Sequence, residues 1–495
     1  MKTGSGKSFF KILIFVTLIS PLLILLGSGV TPHETFSPGT LEILGFTFLQ
    51  AGLSAALALS LGLLGAYGLE AAHVKWGVAN GRFLEALSLL PNVAPVLLFL
   101  LAVMKFAPGL TGLTGIVVIH ALLNTGLVAA SVLRLFRSKI SALADLAWVE
   151  GCSRTRFFTR AVIPLLAGDL GLIFSFVFAI CFTSLAIPLV IGGSRATTLE
   201  VLIWQSIRIE GDFSKALGIA ILQLGSILAF TFLLRRRTTT SQAAKSPSSH
   251  SLLSQFAGLP VVLLPPALLI ISLFDRPWSG AVRLFDNDSL AGELLKAIFG
   301  SFVITIGTGF LVSFFMIALA TTEPRGFFRK FLLGYVAPSS VITGFAMLIV
   351  SNKTGTATYL KICVAITLIS VPALYRLYWD AAVSGLRSQR ATARTLGASN
   401  WLTFRRVVFP QLARPLGFVA GLSSLWAWGD FALSRTIAER DMTLGMMIQS
   451  LMSSYRFDLA TFLVWILIIG GAATFFFFHF FFQEVGRVLG QKSSR

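Results

Sequence analysis

Charge is what this sequence has least of. Charged residues fill 12% of its 495 positions, against about 25% in an ordinary soluble domain. Acids are scarcer than bases: 21 Asp and Glu stand against 40 Lys and Arg, a net charge of +19. Cysteine is nearly absent. Cys152, Cys181 and Cys363 show neither disulfide nor zinc spacing. The five histidines form no cluster. With no His, Cys or acidic constellation, neither a resident metal nor a membrane-embedded enzyme is expected. A nucleotide site is missing too. The opening MKTGSGKSFF mimics the end of a phosphate-binding loop at Gly6, Lys7 and Ser8, but Met1 occupies the place of the loop's first glycine. The stretch reads instead as a basic tail ahead of a membrane helix.

Long apolar runs are what the chain has in abundance. Hydrophobic residues make up 55% of it. Runs such as Leu459–Phe482 exceed the roughly 18 apolar residues that span a bilayer as a helix. Barrel strands would instead alternate over about 10 residues. The expected fold is therefore an all-α polytopic membrane protein with about twelve transmembrane helices. Six are expected near 9–29, 46–69, 84–106, 112–136, 169–193 and 213–234. Six more are expected near 256–274, 294–320, 331–351, 358–379, 415–437 and 458–482. The first run is read as an uncleaved helix, because its apolar region is long and no small-residue cleavage site follows.

The basic residues gather in alternate loops: Arg134 to Arg160, Arg235 to Arg237, Arg325 to Lys330, and Arg387 to Arg414. Loop acids such as Glu34, Glu42, Glu200, Asp286 and Asp288 fall in the others. The positive-inside rule then puts both termini in the cytoplasm. It also accounts for the net charge without nucleic acid. Residues 235–255 are polar, Ser/Thr-rich and contain Pro247, a linker composition. The expected division is a first repeat at 1–237, a linker at 238–255 and a second repeat at 256–495. Six spans per half leave both halves in the same orientation, a parallel repeat.

One loop repeats in detail. DLAWVEGCSRTRFFTRAVIP, Asp145 to Pro164, matches ATARTLGASNWLTFRRVVFP, Ala391 to Pro410. Gly151 and Gly397 lie 246 residues apart, as do Pro164 and Pro410. Each copy reads as a small-residue helix, a glycine that permits a turn, a basic and aromatic helix, and a proline opening the next span. Such an elbow suits docking into a partner's groove. A helix lying on anionic lipid would need no such register.

This loop resembles the one that marks the inner-membrane permeases of bacterial ABC importers, E-A-A, three residues, G, nine residues, I-x-L-P. The match rests on Ala147, Gly151 and Pro164 in one copy, and on Ala393, Gly397 and Pro410 in the other. The family's glutamate is Asp145 in the first copy and Ala391 in the second. The fused two-copy arrangement resembles the thiamine and ferric-iron permeases. The resemblance implies coupling loops at 139–168 and 383–414 that meet two copies of a cytoplasmic ATPase. It implies a periplasmic solute-binding protein, ATP on the partner subunits, no cofactor on this chain, and a bacterial inner-membrane location. The solute would be a thiamine-like organic cation or ferric iron. An ion-coupled secondary carrier with two six-helix halves is the alternative, but its G-x-x-x-D-[RK]-x-G-[RK] loop is missing from EAAHVKWGVANGRF.

Polar groups inside spans are candidates for the solute path. Asp430 lies in LWAWGDFALS beside Trp426 and Trp428, where a carboxylate among aromatic faces suits a cation, and where pairing with a neighbouring helix is equally consistent. His120 and Asn124 share a face of the fourth span, suited to interhelical hydrogen bonding or to the path. Pro91 and Pro95 interrupt the third span, and Pro338 lies near the start of the ninth. Interruptions at matching positions point toward a path, and simple kinks also fit. Two outer segments, Gly192 to Ile207 after a Thr197-Thr198 cap and Met442 to Ser454, have helical apolar patterns. They suit either contact with a binding protein or plugging of the outer mouth. Their Glu200 and Gln205, with Gly429-Asp430-Phe431 and Ser454-Tyr455-Arg456, resemble the thiamine-type permeases.

Overall fold

The computed structural model describes residues 3–33, 35–140, 143, 147, 149–157, 159–160, 163–193, 196–233, 258–275, 277–322, 324, 326–334, 338–354, 357–438, 440 and 442–491. The 235–255 linker and Asp145 lie outside the described residues. Those described are helical or connecting, with no strand among them. The helices before the linker are α1 (Thr3–Leu26), α2 (Pro38–Ser88), α3 (Leu90–Val93), α4 (Val96–Phe106), α5 (Gly112–Leu135), α6 (Arg154–Phe157), α7 (Ile163–Phe182), α8 (Ala186–Ile191), α9 (Leu199–Gln205) and α10 (Phe213–Leu233). After it come α11 (Gly258–Leu273), α12 (Pro277–Phe285), α13 (Asp288–Thr322), α14 (Gly326–Gly334), α15 (Ser340–Thr354), α16 (Thr358–Leu374) and α17 (Asp380–Gly385). The last are α18 (Arg387–Thr395), α19 (Asn400–Thr403), α20 (Phe409–Trp428), α21 (Ala432–Ile437), α22 (Leu444–Ser453) and α23 (Phe457–Gln491).

An apolar environment leaves no water for the backbone, so helices, which bond their own N–H and C=O groups, are the form such runs take. Seven helices among the described residues are long and apolar enough to cross a bilayer, or eight if the bent pair α11 and α12 is one span. The other expected spans fall on short or interrupted helices. Ala94 and Pro95 divide α3 from α4, and Pro338 lies in the gap between α14 and α15. The fifth and eleventh expected spans, read as continuous from the sequence, are also divided, at 183–185 and 429–431. The polar and small residues there, Thr183-Ser184 and Gly429-Asp430, favour caps and turns over helix interior.

The chain forms two compact units. One comprises 32–277; the other comprises 1–31 and 278–495. In the first, α2 packs along α5, and α11 packs on α2. Gly68 and Gly258 make that second crossing close: a Cβ on Gly68 would strike the Leu259 backbone, and one on Gly258 would strike the Leu64 carbonyl. Small residues let helix backbones approach this way in lipid. In the other unit, α20 packs against α23 and α13, while α1 packs against α15 and α13. Ile14 and Leu18 of α1 are buried in its core with Ile304, Met316 and Leu416. α1 thus packs with helices of the second half of the sequence, and α11 with helices of the first.

Candidate functional site

The repeated loop is built the same way twice. In the second copy, α18 ends at Thr395 and Gly397 follows with φ +82°. In the first copy Gly151 has φ +67°. The Ala398 N–H donates to the Ala393 carbonyl at 3.1 Å, and the Cys152 N–H donates to the Ala147 carbonyl at 2.8 Å. These are the same bond, 246 residues apart. It is the six-residue closure of a Schellman motif, with glycine at the left-handed position. No atom lies within 4 Å of where a Cβ would sit on either glycine. Backbone conformation, and not space, therefore requires glycine there. Ala147 and Ala393 supply the carbonyls that close each turn.

Serine follows each turn. Ser399 caps α19, its hydroxyl accepting from Leu402 N at 3.2 Å. The Ser399 carbonyl accepts from Thr403 N at 2.8 Å, and the Ser153 carbonyl accepts from Phe157 N at 2.9 Å. α19 then runs through a π-helical turn, Phe404–Val408, into α20, and Thr159 and Arg160, between α6 and α7, are π-helical as well. Pro164 and Pro410 occupy the first turns of α7 and α20, where a missing N–H costs nothing. Beneath each loop lies matched packing: Ile140 and Leu166 in the first copy, Leu386 and Leu412 in the second, all buried. The register extends from α5 and α16, which begin at Gly112 and Thr358, to the ends of α8 and α21 at Ile191 and Ile437. Ala391 is exposed on α18.

Ion pairs tie the basic loops to their bundles. Arg137 meets Glu70 at 2.6 Å, and Lys139 meets Asp169 at 2.7 Å. In the other unit Arg329 grips both oxygens of Asp380, at 2.8 and 2.7 Å, and Tyr375 donates to the same carboxylate at 3.0 Å. The two-pronged pair fixes orientation as well as distance.

The residues considered for the solute path fall into two places. Asn124 is buried inside the 32–277 unit, donating to the His120 carbonyl at 2.8 Å and facing the Cys181 sulfur at 3.9 Å. Trp426, Trp428 and Asp430 lie together at the break between α20 and α21. The Asp430 carboxylate accepts from Ser434 N and Ser434 Oγ, both at 2.8 Å, and caps the half-helix α21. Trp428 is buried against Gly470, and Trp426 is half-buried.

The outer segments form α9 and α22, and their apolar faces are buried. Leu199, Ile203, Leu444, Met446 and Ile448 are fully enclosed. The first N–H of each helix donates to a hydroxyl of a long span: Leu199 N to Thr47 and Leu444 N to Ser301, at 3.0 and 2.9 Å. Thr443 makes a side-chain cap bond, whereas Thr198 occupies the cap position without one. Only the far ends are open. Ile209 and Tyr455 are 69% and 78% exposed. Tyr455, with φ +57°, holds a left-handed turn that Gly211 makes in the first copy.

Residues 315–487, which include the second loop, match the family of binding-protein-dependent transport system inner membrane components. In class, this second half of the chain is similar to the inner-membrane permeases of binding-protein-dependent transport systems. Among its relatives is the thiamine transport system permease protein ThiP of Escherichia coli (strain K12), 24% identical over 368 residues, covering 70% of this chain and 68% of that one. The same protein of Brucella suis biovar 1 is 25% identical, covering 71% of this chain and 69% of its own. That of Haemophilus influenzae is 22% identical over 83% of both chains. No solved structure matches.

Proposed function

We propose that this chain is the membrane subunit of an ATP-driven importer that passes a thiamine-like organic cation from an outside binding protein to the cytoplasm. The carrying observation is the pair of loops with one Schellman turn, one helix start and one register, 246 residues apart. Two elbows closed by the same turn in the same register suit two copies of one partner, a cytoplasmic ATPase that binds the nucleotide. The thiamine relatives direct the choice of solute, and none of the three names iron.

In this reading, ATP draws the two ATPases together and moves α6 and α19. Each is short, and α19 is capped by Ser399 and continuous through a π-helical turn with α20. Movement at the elbow therefore reaches the broken fifth and eleventh spans, where interrupted helices favour a path. The exposed ends at Ile209 and Tyr455 are the surfaces left for the binding protein. Uptake of radiolabelled thiamine tests the proposal. Liposomes containing this chain, its ATPase and its binding protein take up thiamine only with ATP inside the cytoplasmic compartment. Uptake without ATP, or none with all parts present and ATP hydrolysed, contradicts it.

A further inference from the structure

Acid and base trade places between the two copies. Where the fourth span ends, beside the repeated loop, the first copy carries bases. Arg134, in the last turn of α5, meets Glu85 at 3.7 Å, and Arg137 meets Glu70 at 2.6 Å. Lys139 meets Asp169 of α7 at 2.7 Å. Glu70 and Glu85 lie on α2, on either side of its kink at Gly77. The register of 246 residues puts Asp380, Val383 and Gly385 where those three bases stand. Asp380 is the acid of its pair. Its base, Arg329, lies on α14 near the start of the ninth expected span, as Glu85 lies near the start of the third. The charge at the end of the fourth span is thus positive in one copy and negative in the other.

A docking role shared by both loops does not explain this reversal. The four carboxylate side chains are 15% to 23% exposed, so each is costly to leave without a base. Nor does membership of one half of the sequence decide which helices pack together, because α1 packs with the second half and α11 with the first. The remaining helices need a reason not to change partners. The charges supply one. α16 in the place of α5 would bring Asp380 against Glu70 and Glu85 and leave Asp169 without Lys139. α5 in the place of α16 would bring Arg134 and Arg137 against Arg329. Both exchanges set like charges together, and repulsion of the wrong partner is an effective source of specificity.

We propose that the reversed ion pairs sort the spans. They admit the fourth span of each copy to the helices of its own copy, and they reject the fourth span of the other copy, whether it comes from the same chain or from a second one.

Two sets of substitutions test this in the full chain. Arg329→Asp with Asp380→Arg gives the second copy the signs of the first. Glu70→Arg, Glu85→Arg, Arg134→Asp and Arg137→Asp give the first copy the signs of the second. Each set keeps opposite charges facing within its own copy. The chain is expressed with neither set, either set or both. Size-exclusion chromatography in detergent reads the monomer as a fraction of all membrane-inserted chain. Either set alone makes the copies alike, and is expected to lower the monomer fraction severalfold in favour of dimers and aggregate. Both sets together make the copies opposite again, and are expected to recover most of the loss. Pairs that act only locally would instead give losses that compound. An unchanged monomer fraction with either set alone, or a combined chain no better than the worse of the two, overturns the proposal. No ATPase or solute enters the test, so its failure leaves the importer reading untouched.

Discussion

At the residue scale, two glycines carry the loops through their backbone. Gly151 and Gly397 hold positive φ with no neighbour where a side chain would begin. Substitution there acts through conformation alone, at about 1–2 kcal/mol for an ordinary residue. Asparagine tolerates the left-handed region and valine does not. Uptake is expected to fall in the order glycine, asparagine, alanine, valine at Gly397, with correct membrane insertion throughout. Equal uptake by Gly397→Val removes the turn from the mechanism. Tyr455 presents the opposite case, a side chain held where glycine belongs. Tyr455→Gly is expected to raise the melting temperature by relieving about 1 kcal/mol of backbone strain. On the proposed function, the same change should weaken delivery of solute by the binding protein, because strain is retained where a side chain is used. These turns differ in how readable they were. Gly151, Gly397 and their spacing were visible because glycine and proline punctuate a sequence. The serines at 153 and 399 follow each glycine by two residues and were equally visible, since serine is a common helix cap. The Asp430 cap depends on a break that the apolar flanks conceal.

At the scale of elements, breaks and crossings matter more than length. Among the described residues, seven helices, or eight if the bent pair α11 and α12 is one span, are long and apolar enough to cross a bilayer, and the other expected spans fall on short or interrupted helices. Where a span divides was legible only when proline marked it, as at Pro95 and Pro338. Thr183-Ser184 and Gly429-Asp430 divide α7 from α8 and α20 from α21 with ordinary polar residues, and hydropathy averages over them. The α2–α11 crossing yields a prediction with an internal control. Gly258→Val meets the Leu64 carbonyl and is expected to lower the yield of folded protein severely. Gly52→Val on the same α2 has nothing within 4 Å and is expected to be tolerated. Detergent-stable monomer on size-exclusion chromatography reads both. Similar yields would show that the close backbone approach contributes nothing. The Arg329–Asp380 pair gives another. Its side chains are 37% and 15% exposed, so a double-mutant cycle with Arg329→Ala and Asp380→Ala is expected to couple by about 1 kcal/mol after solvent screening.

At the scale of the molecule, the two halves of the sequence are not the two units of packing. The repeat was legible from one loop aligned with itself. The exchange of first spans was not, because hydropathy is blind to which neighbour a helix chooses. The exchange predicts where damage appears. Leu18 is 1% exposed within the core of residues 278–495, so Leu18→Ala is expected to speed proteolysis of that unit before the 32–277 unit. Faster cleavage of 32–277 instead would contradict the packing. The central claim is that the paired loops receive two ATPases. It is tested most directly by native mass spectrometry of the complex purified gently from its own host. The account predicts two ATPase copies per chain, and loss of both in a chain carrying Gly151→Val with Gly397→Val. A stable chain with no ATPase, moving solute into liposomes under an ion gradient, would contradict it.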